Sequence, residues 1–320
     1  MPKFKMLIEV PTWLGDCVMT TPAIENIVKI NPSIEITIFG SAVSSVIFAH
    51  HPNVKNIIVD NSRKSKYRIF YLYGQAKKIG NFDYSISFRR TLTSKLFVWF
   101  TKAKVKGNYR RYTKHTIHQV VRYNDFVNKI FGVNTIAGQL IVYKKTKTFK
   151  NAKSERKLVG INPGASYGSA KRWYPEEFAK VASKLSDQYD IVIFGGPNEK
   201  DIAIDIEKVL IENGVKNYRN LAGNTTASEL IGRIYDLDLF ITGDSGPMHL
   251  AAALQVPTVA IFGPTKDDET SQWMNGKSVI VKKNLNCQPC MKRVCPLGHH
   301  RCMKSIKCID VLIGIEKLNL

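Results

Sequence analysis

Short apolar runs rich in β-branched residues alternate with longer amphipathic stretches, and this alternation limits the possible folds more than any other feature of the sequence. Helical patterns lie between the apolar runs, at residues 22–30, 175–185, 199–213, 227–235 and 248–254. The predicted strands cover residues 6–10, 34–39, 57–59, 84–88, 158–162, 191–194, 239–242 and 258–262. Strands separated by helices form parallel sheets built from strand–helix–strand units. The sequence therefore predicts an α/β protein.

The length of 320 residues is sufficient for two such domains, each with its own core. A polar stretch at 144–157, rich in Lys, Thr and Ser, is typical of a linker. We therefore predict an N-terminal domain over 1–157 and a C-terminal domain over 158–320, with a cleft between them. Ligands of open parallel sheets bind beyond the carboxyl ends of the strands.

The composition is that of a globular protein, with 44% hydrophobic and 23% charged residues, and it argues against disorder. No apolar run reaches 18 residues, so every run is too short for a membrane-spanning helix. Residues 1–10 lack a small-residue cleavage site, and they are interpreted as a first strand instead of a signal peptide. The expected compartment is the cytoplasm.

The net charge of +21 is distributed unevenly along the chain. Residues 1–157 hold 28 basic and 8 acidic side chains, whereas residues 158–320 hold 19 and 18. Within the first half, residues 62–122 carry sixteen basic side chains and one acid, Asp83. Such a field attracts a polyanion, which includes nucleic acid, an anionic membrane and a phosphorylated glycolipid. The alternative is a solvated basic surface with no partner.

A glycine and an acid follow the first predicted strand, in the motif Trp13-Leu14-Gly15-Asp16. Gly15 allows the backbone to approach a ligand closely. Asp16 is placed in a loop at the carboxyl end of the strand, where a carboxylate can accept a proton from a substrate hydroxyl. The alternative is that Asp16 caps the helix that follows.

A second motif follows the first strand of the C-terminal half and contains small residues, a hydroxyl and a cation. It begins Asn162-Pro163-Gly164 and includes Ser166 and Lys171. These residue types suit an anionic phosphate, with Gly164 giving room, Ser166 donating a hydrogen bond and Lys171 acting as a point charge. The spacing differs from that of a P-loop. A simple surface turn is the alternative.

A third motif, Gly243-Asp244-Ser245-Gly246-Pro247-Met248-His249, follows the strand at 239–242. Pro247 suits the first position of a helix. Ser245 and Gly246 would then present N–H groups at the positive end of that helix to a diphosphate. Asp244 can hold sugar hydroxyls, and His249 can donate a hydrogen bond to the same ligand. The alternative is that His249 is a structural core residue.

Three further acidic residues lie near strand ends. Glu199 follows a glycine turn after the strand at 191–194, and it can bind ribose hydroxyls or cap a helix. Asp236 and Asp238 precede the strand at 239–242, at the end away from a ligand, and we interpret them as structural. No catalytic metal is therefore predicted.

These motifs resemble, in order along the chain, those of the bacterial ADP-heptose:lipopolysaccharide heptosyltransferases of glycosyltransferase family 9. The segments that carry the resemblance are 13–16, 162–173 and 243–249. The cysteine-containing segment at 287–302 resembles the heptosyltransferase II branch in particular. Residues 40–150 contain no recognisable motif.

The resemblance implies a GT-B fold, in which two Rossmann-like domains face a central cleft. The first domain would bind the acceptor and the second the nucleotide sugar, and the last helix could pack back on the first domain. The implied reaction is inverting transfer of L-glycero-D-manno-heptose from ADP-heptose to the inner-core heptose of lipopolysaccharide or lipooligosaccharide. The anionic acceptor would place a monomeric enzyme on the cytoplasmic face of the inner membrane, without nucleic acid as a partner.

The resemblance also implies roles for individual residues. Asp16 corresponds to the general base and Lys171 to a phosphate-binding lysine. Thr225 falls near the position that contacts adenine, and Glu199 corresponds to the ribose carboxylate. The donor loop corresponds to four residues, Asp244, Ser245, Gly246 and His249.

Five of the six cysteines fall between residues 287 and 308. Four of them have the spacing C-x2-C-x4-C-x6-C, and they are Cys287, Cys290, Cys295 and Cys302. The first pair has the spacing of a zinc site, and a cytoplasmic chain does not keep stable disulfides. A structural zinc is therefore possible, although reduced cysteines that pack a loop near the cleft are preferred.

Two other functions fit parts of the sequence. A different GT-B nucleotide-sugar enzyme, either a transferase for another sugar or an epimerase, would share the same loops. A zinc-stabilised nucleic-acid-binding protein would explain the charge and the cysteines. However, the cysteines lie in the half with almost no net charge, far in sequence from the basic stretch.

Overall fold

The computed structural model describes residues 4–144 and 156–320, and the chain divides into two compact units, Met1–Lys145 and Thr146–Leu320. The boundary between the units falls within the predicted linker at 144–157, most of which lies outside the described residues. Lys157, assigned to that linker, is the first residue of a strand.

The first unit contains a five-stranded parallel sheet in the order β3-β2-β1-β4-β5. Its strands are β1 Lys5–Glu9, β2 Glu35–Gly40, β3 Val54–Val59, β4 Asn81–Ser87 and β5 Lys102–Asn108. Its helices are α1 Leu14–Met19, α2 Thr21–Ile30, α3 Ala42–Ser45, α4 Arg68–Lys78, α5 Leu92–Phe100 and α6 Gln119–Phe131. The central strand β1 is buried except at its first residue, as the apolar run at 6–10 predicts.

The second unit contains a six-stranded parallel sheet in the order β11-β10-β9-β6-β7-β8. Its strands are β6 Lys157–Asn162, β7 Tyr189–Ile193, β8 Tyr218–Asn220, β9 Leu239–Gly243, β10 Thr258–Ile261 and β11 Ser278–Val281. Its helices are α7 Pro175–Leu185, α8 Lys200–Glu212, α9 Ala227–Tyr235, α10 Gly246–Ala253, α11 Asp267–Thr270, α12 Arg301–Lys304 and α13 Cys308–Glu316. Both sheets confirm the predicted α/β class with parallel strands.

Each unit has an apolar core between its sheet and its helices. In the first, Phe39 of β2 stacks on Phe97 of α5, with ring centroids 4.2 Å apart. In the second, Trp173 is buried beside Phe178 and donates a hydrogen bond to the Ile306 carbonyl at 3.0 Å. Burying each such side chain contributes roughly 1.5–3 kcal/mol. These cores hold the strand ends, and therefore the loops that follow them, in fixed positions.

The last helix, α13, packs against α7, β10 and β11 of the second unit, and Val311 joins its core. These contacts lie within the second unit, whereas the sequence allowed for packing on the first domain. Within residues 4–144 and 156–320, no helix combines the length and the apolar character that crossing a membrane requires.

Candidate functional site

Five loops follow the carboxyl ends of strands in the second unit, and four of them, with the start of α10, carry the predicted donor-binding residues. The fifth, after β10, carries Thr265. The chain order of the sheet reverses between β6 and β9. On one side of β6 lie β7 and β8, and on its other side lie β9, β10 and β11. Such a reversal opens a crevice outside the carboxyl ends of the two strands. Lys171 lies in the loop after β6, and Asp244 directly follows β9.

Lys171 and Asp244 form an ion pair across this crevice. The Nζ atom of Lys171 is 2.6 Å from Oδ2 of Asp244, and the two side chains are only 12% and 6% exposed. Thr265, in the loop after β10, donates a hydrogen bond to the same Oδ2 atom at 2.6 Å. The structure thus brings together a cation and an anion that the sequence assigned to one ligand.

The start of α10 lies beside this pair. Asn162, the last residue of β6, donates hydrogen bonds to Ser245 Oγ at 3.2 Å and to Thr242 Oγ1 at 3.3 Å. Ser245 occupies the N-cap position of α10, but its side chain does not cap the helix. The backbone N–H groups of Ser245 and Gly246 therefore lie at the N-terminal end of α10, which carries partial positive charge.

Two details of α10 differ from or extend the predictions. Pro247 is the second residue of α10, and the prediction of the first position is wrong by one residue. His249 lies in the first turn of α10 and is buried. Burial fits both interpretations of His249, as a core residue and as a donor to a ligand.

Glu199 lies in the loop that follows β7, and its side chain reaches the loop that follows β6. Its Oε2 atom accepts a hydrogen bond from the Gly196 N–H at 2.7 Å, and Glu199 directly precedes α8. These contacts match the alternative interpretation of Glu199 as a capping residue. The carboxyl group also lies against Gly164, where any Cβ atom would collide with it. Gly164 therefore has to be a glycine if Glu199 is to hold this position.

The two remaining donor-site candidates lie on separate loops. Ser166 is exposed in the loop after β6, and Thr225 is half-buried in the turn before α9. The turn that holds Thr225 is joined to the β7 loop by a hydrogen bond from Gly223 N–H to the Gly195 carbonyl at 2.9 Å. All five loops thus lie at one edge of the sheet.

The cysteine-containing segment packs over the loop that holds Lys171. Two cations lie over the Tyr167 ring, with Lys171 Nζ 5.1 Å and the Arg293 guanidinium 5.3 Å from its centroid. The hydroxyl of Tyr167 donates to the Met291 carbonyl at 2.9 Å. The Ala170 N–H donates to the Arg293 carbonyl at 3.0 Å. The segment therefore helps to fix the approach of Lys171 to the crevice.

His300 makes a second connection between the cysteine segment and this loop. Its Nε2 atom lies 2.9 Å from the Ala170 carbonyl, and its Nδ1 atom lies 3.2 Å from the Tyr174 hydroxyl. Because a carbonyl only accepts, Nε2 carries the proton and Nδ1 accepts from Tyr174. Both ring nitrogens of His300 are therefore engaged within the protein.

The four predicted cysteines line one small cavity beside Pro264 and His299. All six cysteines are free thiols. Burial, followed by the neighbouring thiols, raises the pKa of Cys302 to about 11. In the described ranges, no group of three or more His, Cys, Asp or Glu side chains has an arrangement that could hold a metal ion. The structure thus brings the four thiols to one cavity, and the choice between a structural zinc and reduced cysteines that pack a loop stays a prediction.

Asp238 has a structural contact, as predicted. Its Oδ2 atom accepts a hydrogen bond from the Leu158 N–H at 2.7 Å, at the end of the sheet where β6 and β9 begin. This contact holds the two central strands together, away from the carboxyl-end loops.

In the first unit, the chain order reverses between β1 and β4. Asp16 and the buried Gly15 lie in the first turn of α1, directly after β1. The predicted loop position of Asp16 is therefore wrong, as is the alternative cap, because Trp13 occupies the N-cap position. The charge of Asp16 contributes to the raised pKa of Tyr123, which burial chiefly causes.

A buried ionic network that the sequence did not predict lies at the same strand ends. Arg89, after β4, bonds to Asp60 Oδ2 at 3.1 Å and lies 3.1 Å from Glu9 Oε1. Its Nε atom also donates to the Val10 carbonyl at 2.7 Å. Burial raises the pKa of Glu9, although Arg89 opposes this shift. No motif marks Arg89, because its partners are distant in sequence.

Comparison with known proteins identifies the family of the chain. The sequence profile of Glycosyltransferase family 9 (heptosyltransferase) matches residues 74–301. Lipooligosaccharide heptosyltransferase 2 of Campylobacter jejuni serotype O:6 is 39% identical over 319 residues, covering 98% of this chain and 99% of the relative. Its counterpart from serotype O:2 is 40% identical over 307 residues, covering 95% and 94%.

Solved structures show the same fold. Escherichia coli ADP-heptose lps heptosyltransferase II superimposes with a TM-score of 0.79 and 23% identity, covering 98% of each chain. A family 9 glycosyltransferase from Veillonella parvula superimposes with a TM-score of 0.81 and 22% identity, covering 98% of this chain and 97% of that one. These matches confirm the predicted GT-B fold. With the profile match and the two close relatives, they establish that this chain belongs to glycosyltransferase family 9, the heptosyltransferases.

Proposed function

We propose that this chain transfers L-glycero-D-manno-heptose from ADP-heptose to the inner-core heptose of lipooligosaccharide. The near-full-length similarity to two lipooligosaccharide heptosyltransferases 2 supports this substrate class. The observation that carries the proposal is the buried Lys171–Asp244 pair at the crevice between β6 and β9, beside the start of α10. A nucleotide sugar carries both an anionic diphosphate and polar hydroxyls, which are the two groups that this pair can bind.

In this proposal the second unit binds the donor. Lys171 and the backbone N–H groups at Ser245 and Gly246 hold the diphosphate, while Asp244 accepts hydrogen bonds from heptose hydroxyls. Glu199 and Thr225 face the ribose and the adenine from the loops after β7 and β8. Ser166 and His249 supply further donors to the diphosphate.

The transfer is a single in-line displacement that inverts the anomeric carbon. The acceptor hydroxyl oxygen forms a bond to that carbon as the bond to the ADP oxygen breaks. The proton of the attacking hydroxyl passes to the Asp16 carboxylate. The leaving ADP gains negative charge, which Lys171 and the start of α10 stabilise. The positive charge needed at the leaving group thus comes from the protein chain.

The location of the enzyme follows from the acceptor. Lipid A phosphates and acidic core sugars are anionic, and residues 1–157 carry an excess of twenty basic side chains. Attraction to such a surface is worth roughly 1 kcal/mol for each nearby Lys or Arg. We propose that the chain acts as a monomer on the cytoplasmic face of the inner membrane.

Replacing Asp16 by Asn tests the proposed mechanism. We expect transfer from ADP-heptose to fall about 10²–10⁴-fold, because the amide cannot accept the proton, while ADP binding stays unchanged. Asp205→Asn is the matched control, because Asp205 is an exposed residue of α8. Unchanged turnover in the Asp16 variant would remove Asp16 from the mechanism.

A donor screen tests the substrate. Consumption of another nucleotide sugar, with ADP-heptose left intact, would refute the proposed substrate in favour of a different GT-B activity.

A further inference from the structure

The outer face of helices α4 and α5 in the first unit exposes large apolar side chains. Three of them are well exposed: Phe70 by 75%, Leu92 by 71% and Trp99 by 69%. Tyr67, at the N-cap of α4, is 63% exposed. The inner sides of the two helices pack on the sheet, through a core that includes Leu72, Ala76 and Phe97. The exposed residues are therefore not required to hold the helices in place.

The spacing of the exposed residues places them in two stripes. In α4, Phe70, Tyr73 and Lys77 recur at intervals of three and four residues, and all three are exposed. In α5, Leu92, Lys95 and Trp99 do the same. Residues at these intervals lie on one face of a helix.

The two helices meet in a ring contact. Tyr73 of α4 touches Phe100 of α5, with ring centroids 5.2 Å apart, and Phe100 lies 5.4 Å from the Trp99 ring. The stripes are thus neighbours, and we refer to Phe70, Tyr73, Lys77, Leu92, Lys95 and Trp99 as the α4–α5 face.

All charged side chains of helices α4 and α5 are basic. Lys77 Nζ lies 5.3 Å from the Tyr73 ring centroid, so cationic and aromatic groups alternate on the surface. Asp83, the one acid of residues 62–122, is bound to Lys104 at 2.8 Å. The ligand of this face must therefore supply both negative charge and an apolar layer.

We propose that the α4–α5 face inserts its aromatic and aliphatic side chains into the interfacial layer of an anionic lipid bilayer. Trp and Tyr rings are favoured at the boundary between headgroups and acyl chains, and lysines around them pair with lipid phosphates. Charge argues against a second copy of this chain, because a symmetric dimer would place the same basic surfaces against each other.

This inference deepens the proposed function, because it rests on an acceptor that is held in such a membrane. Beyond the electrostatic attraction, it names the side chains that enter the bilayer. The basic field alone would hold the chain above the headgroups, whereas the aromatic side chains would fix which surface of the first unit faces the lipid.

Vesicle co-sedimentation of the full chain tests the inference. We expect binding to vesicles of phosphatidylethanolamine with 30% phosphatidylglycerol, and weak binding to phosphatidylcholine alone. The double variant Phe70→Ser/Trp99→Ser should bind the anionic vesicles about tenfold or more weakly, because it loses two interfacial rings. Ile136→Ser is the matched control, since Ile136 is a 90% exposed apolar residue of the same unit outside α4 and α5.

Tryptophan fluorescence gives a second readout. Anionic vesicles should shift the emission to shorter wavelength in the wild type, and this shift should disappear in Trp99→Phe, which keeps an apolar ring and should bind about as tightly. Unchanged binding by the double variant would overturn the proposal, as would a shift retained in Trp99→Phe. Concentration-dependent dimers that the double variant abolishes would overturn it in favour of self-association.

Heptose transfer to a soluble, deacylated acceptor separates this inference from the proposed function. We expect the double variant to retain that transfer, because neither Phe70 nor Trp99 belongs to the proposed site. If the wild type binds the vesicles but transfers no heptose, the proposed function fails and the membrane surface stands.

Discussion

Replacing Lys171 by Met leaves the Asp244 carboxylate buried without its cation. At the 2.6 Å separation of the pair, the Coulomb attraction is about 6 kcal/mol at an effective dielectric constant near 20. Desolvation of the two charges offsets much of this attraction. Removing one partner of such a pair costs about 3–5 kcal/mol, because the remaining charge stays buried. The hydrogen bond from Thr265 remains, so we expect a loss near the lower end of that range.

A double-mutant cycle isolates the pair itself. Urea unfolding is measured for Lys171→Met, Asp244→Asn and the double variant. We expect the double variant to be more stable than the sum of the single losses predicts, by about 2 kcal/mol. The matched control is the same cycle on Lys208 and Asp205, an exposed pair at 3.2 Å, where the coupling should be below about 1 kcal/mol. Equal coupling energies in the two cycles would refute the electrostatic argument.

Activity measurements on the same variants separate the structural role of Lys171 from its proposed role at the leaving group. We expect transfer to fall about 10²–10³-fold in Lys171→Met and to remain low in the double variant, although the latter regains part of its stability. Recovery of transfer together with stability would show that Lys171 acts by holding Asp244 in place.

Three further variants or measurements test other parts of the second unit. Gly164→Ala should weaken ADP binding at little cost in stability, because its Cβ atom displaces the Glu199 carboxylate, which is the end of a flexible side chain. Calorimetric titration with ADP measures the binding, and unchanged affinity would contradict the argument. Cys302 should react with iodoacetamide roughly 200-fold more slowly than a peptide cysteine at about pH 8, since a pKa of about 11 leaves little thiolate. Its labelling rate should rise up to about pH 11. Mass spectrometry of Cys302 measures the rates, and peptide-like reactivity would refute the raised pKa. Trp173→Phe should cost about 1–3 kcal/mol in urea unfolding, because the Ile306 carbonyl loses its buried donor; a loss no greater than that of an exposed substitution would contradict it.

All eight predicted strands form, and the three that the sequence did not predict are edge strands. β5, β8 and β11 each lie at one side of a sheet. An edge strand faces solvent along one side, and charged residues there prevent pairing with other chains. β5 reads Lys-Ala-Lys-Val-Lys over its first five residues, so it lacks the apolar run that marks a central strand. The apolar runs therefore identify every central strand and one edge strand, β3, which ends in the apolar run Ile57-Ile58-Val59.

The candidate site was predictable where short motifs follow central strands. Lys171 and Asp244 were both assigned to the donor, but their contact could not be foreseen, because they are 73 positions apart in the sequence. Thr265 lies in a turn after a strand, a pattern too common to mark a site. The packing of Arg293 on Tyr167 depends on tertiary structure that no local pattern encodes. Sequence therefore predicted the groups at the crevice better than the contacts that orient them.

Each sheet consists of strands from one continuous stretch of chain, and every described strand pairs within its own unit. A single crossover in the gene, placed after the codon for Lys145, therefore exchanges one whole sheet and its helices without breaking any ladder. Such an exchange gives evolution a simple route to alter the half that carries Asp16 while keeping the half that carries Lys171 intact. Chimeras joined at this point should fold, and they offer a direct way to learn which half dictates the choice of each substrate.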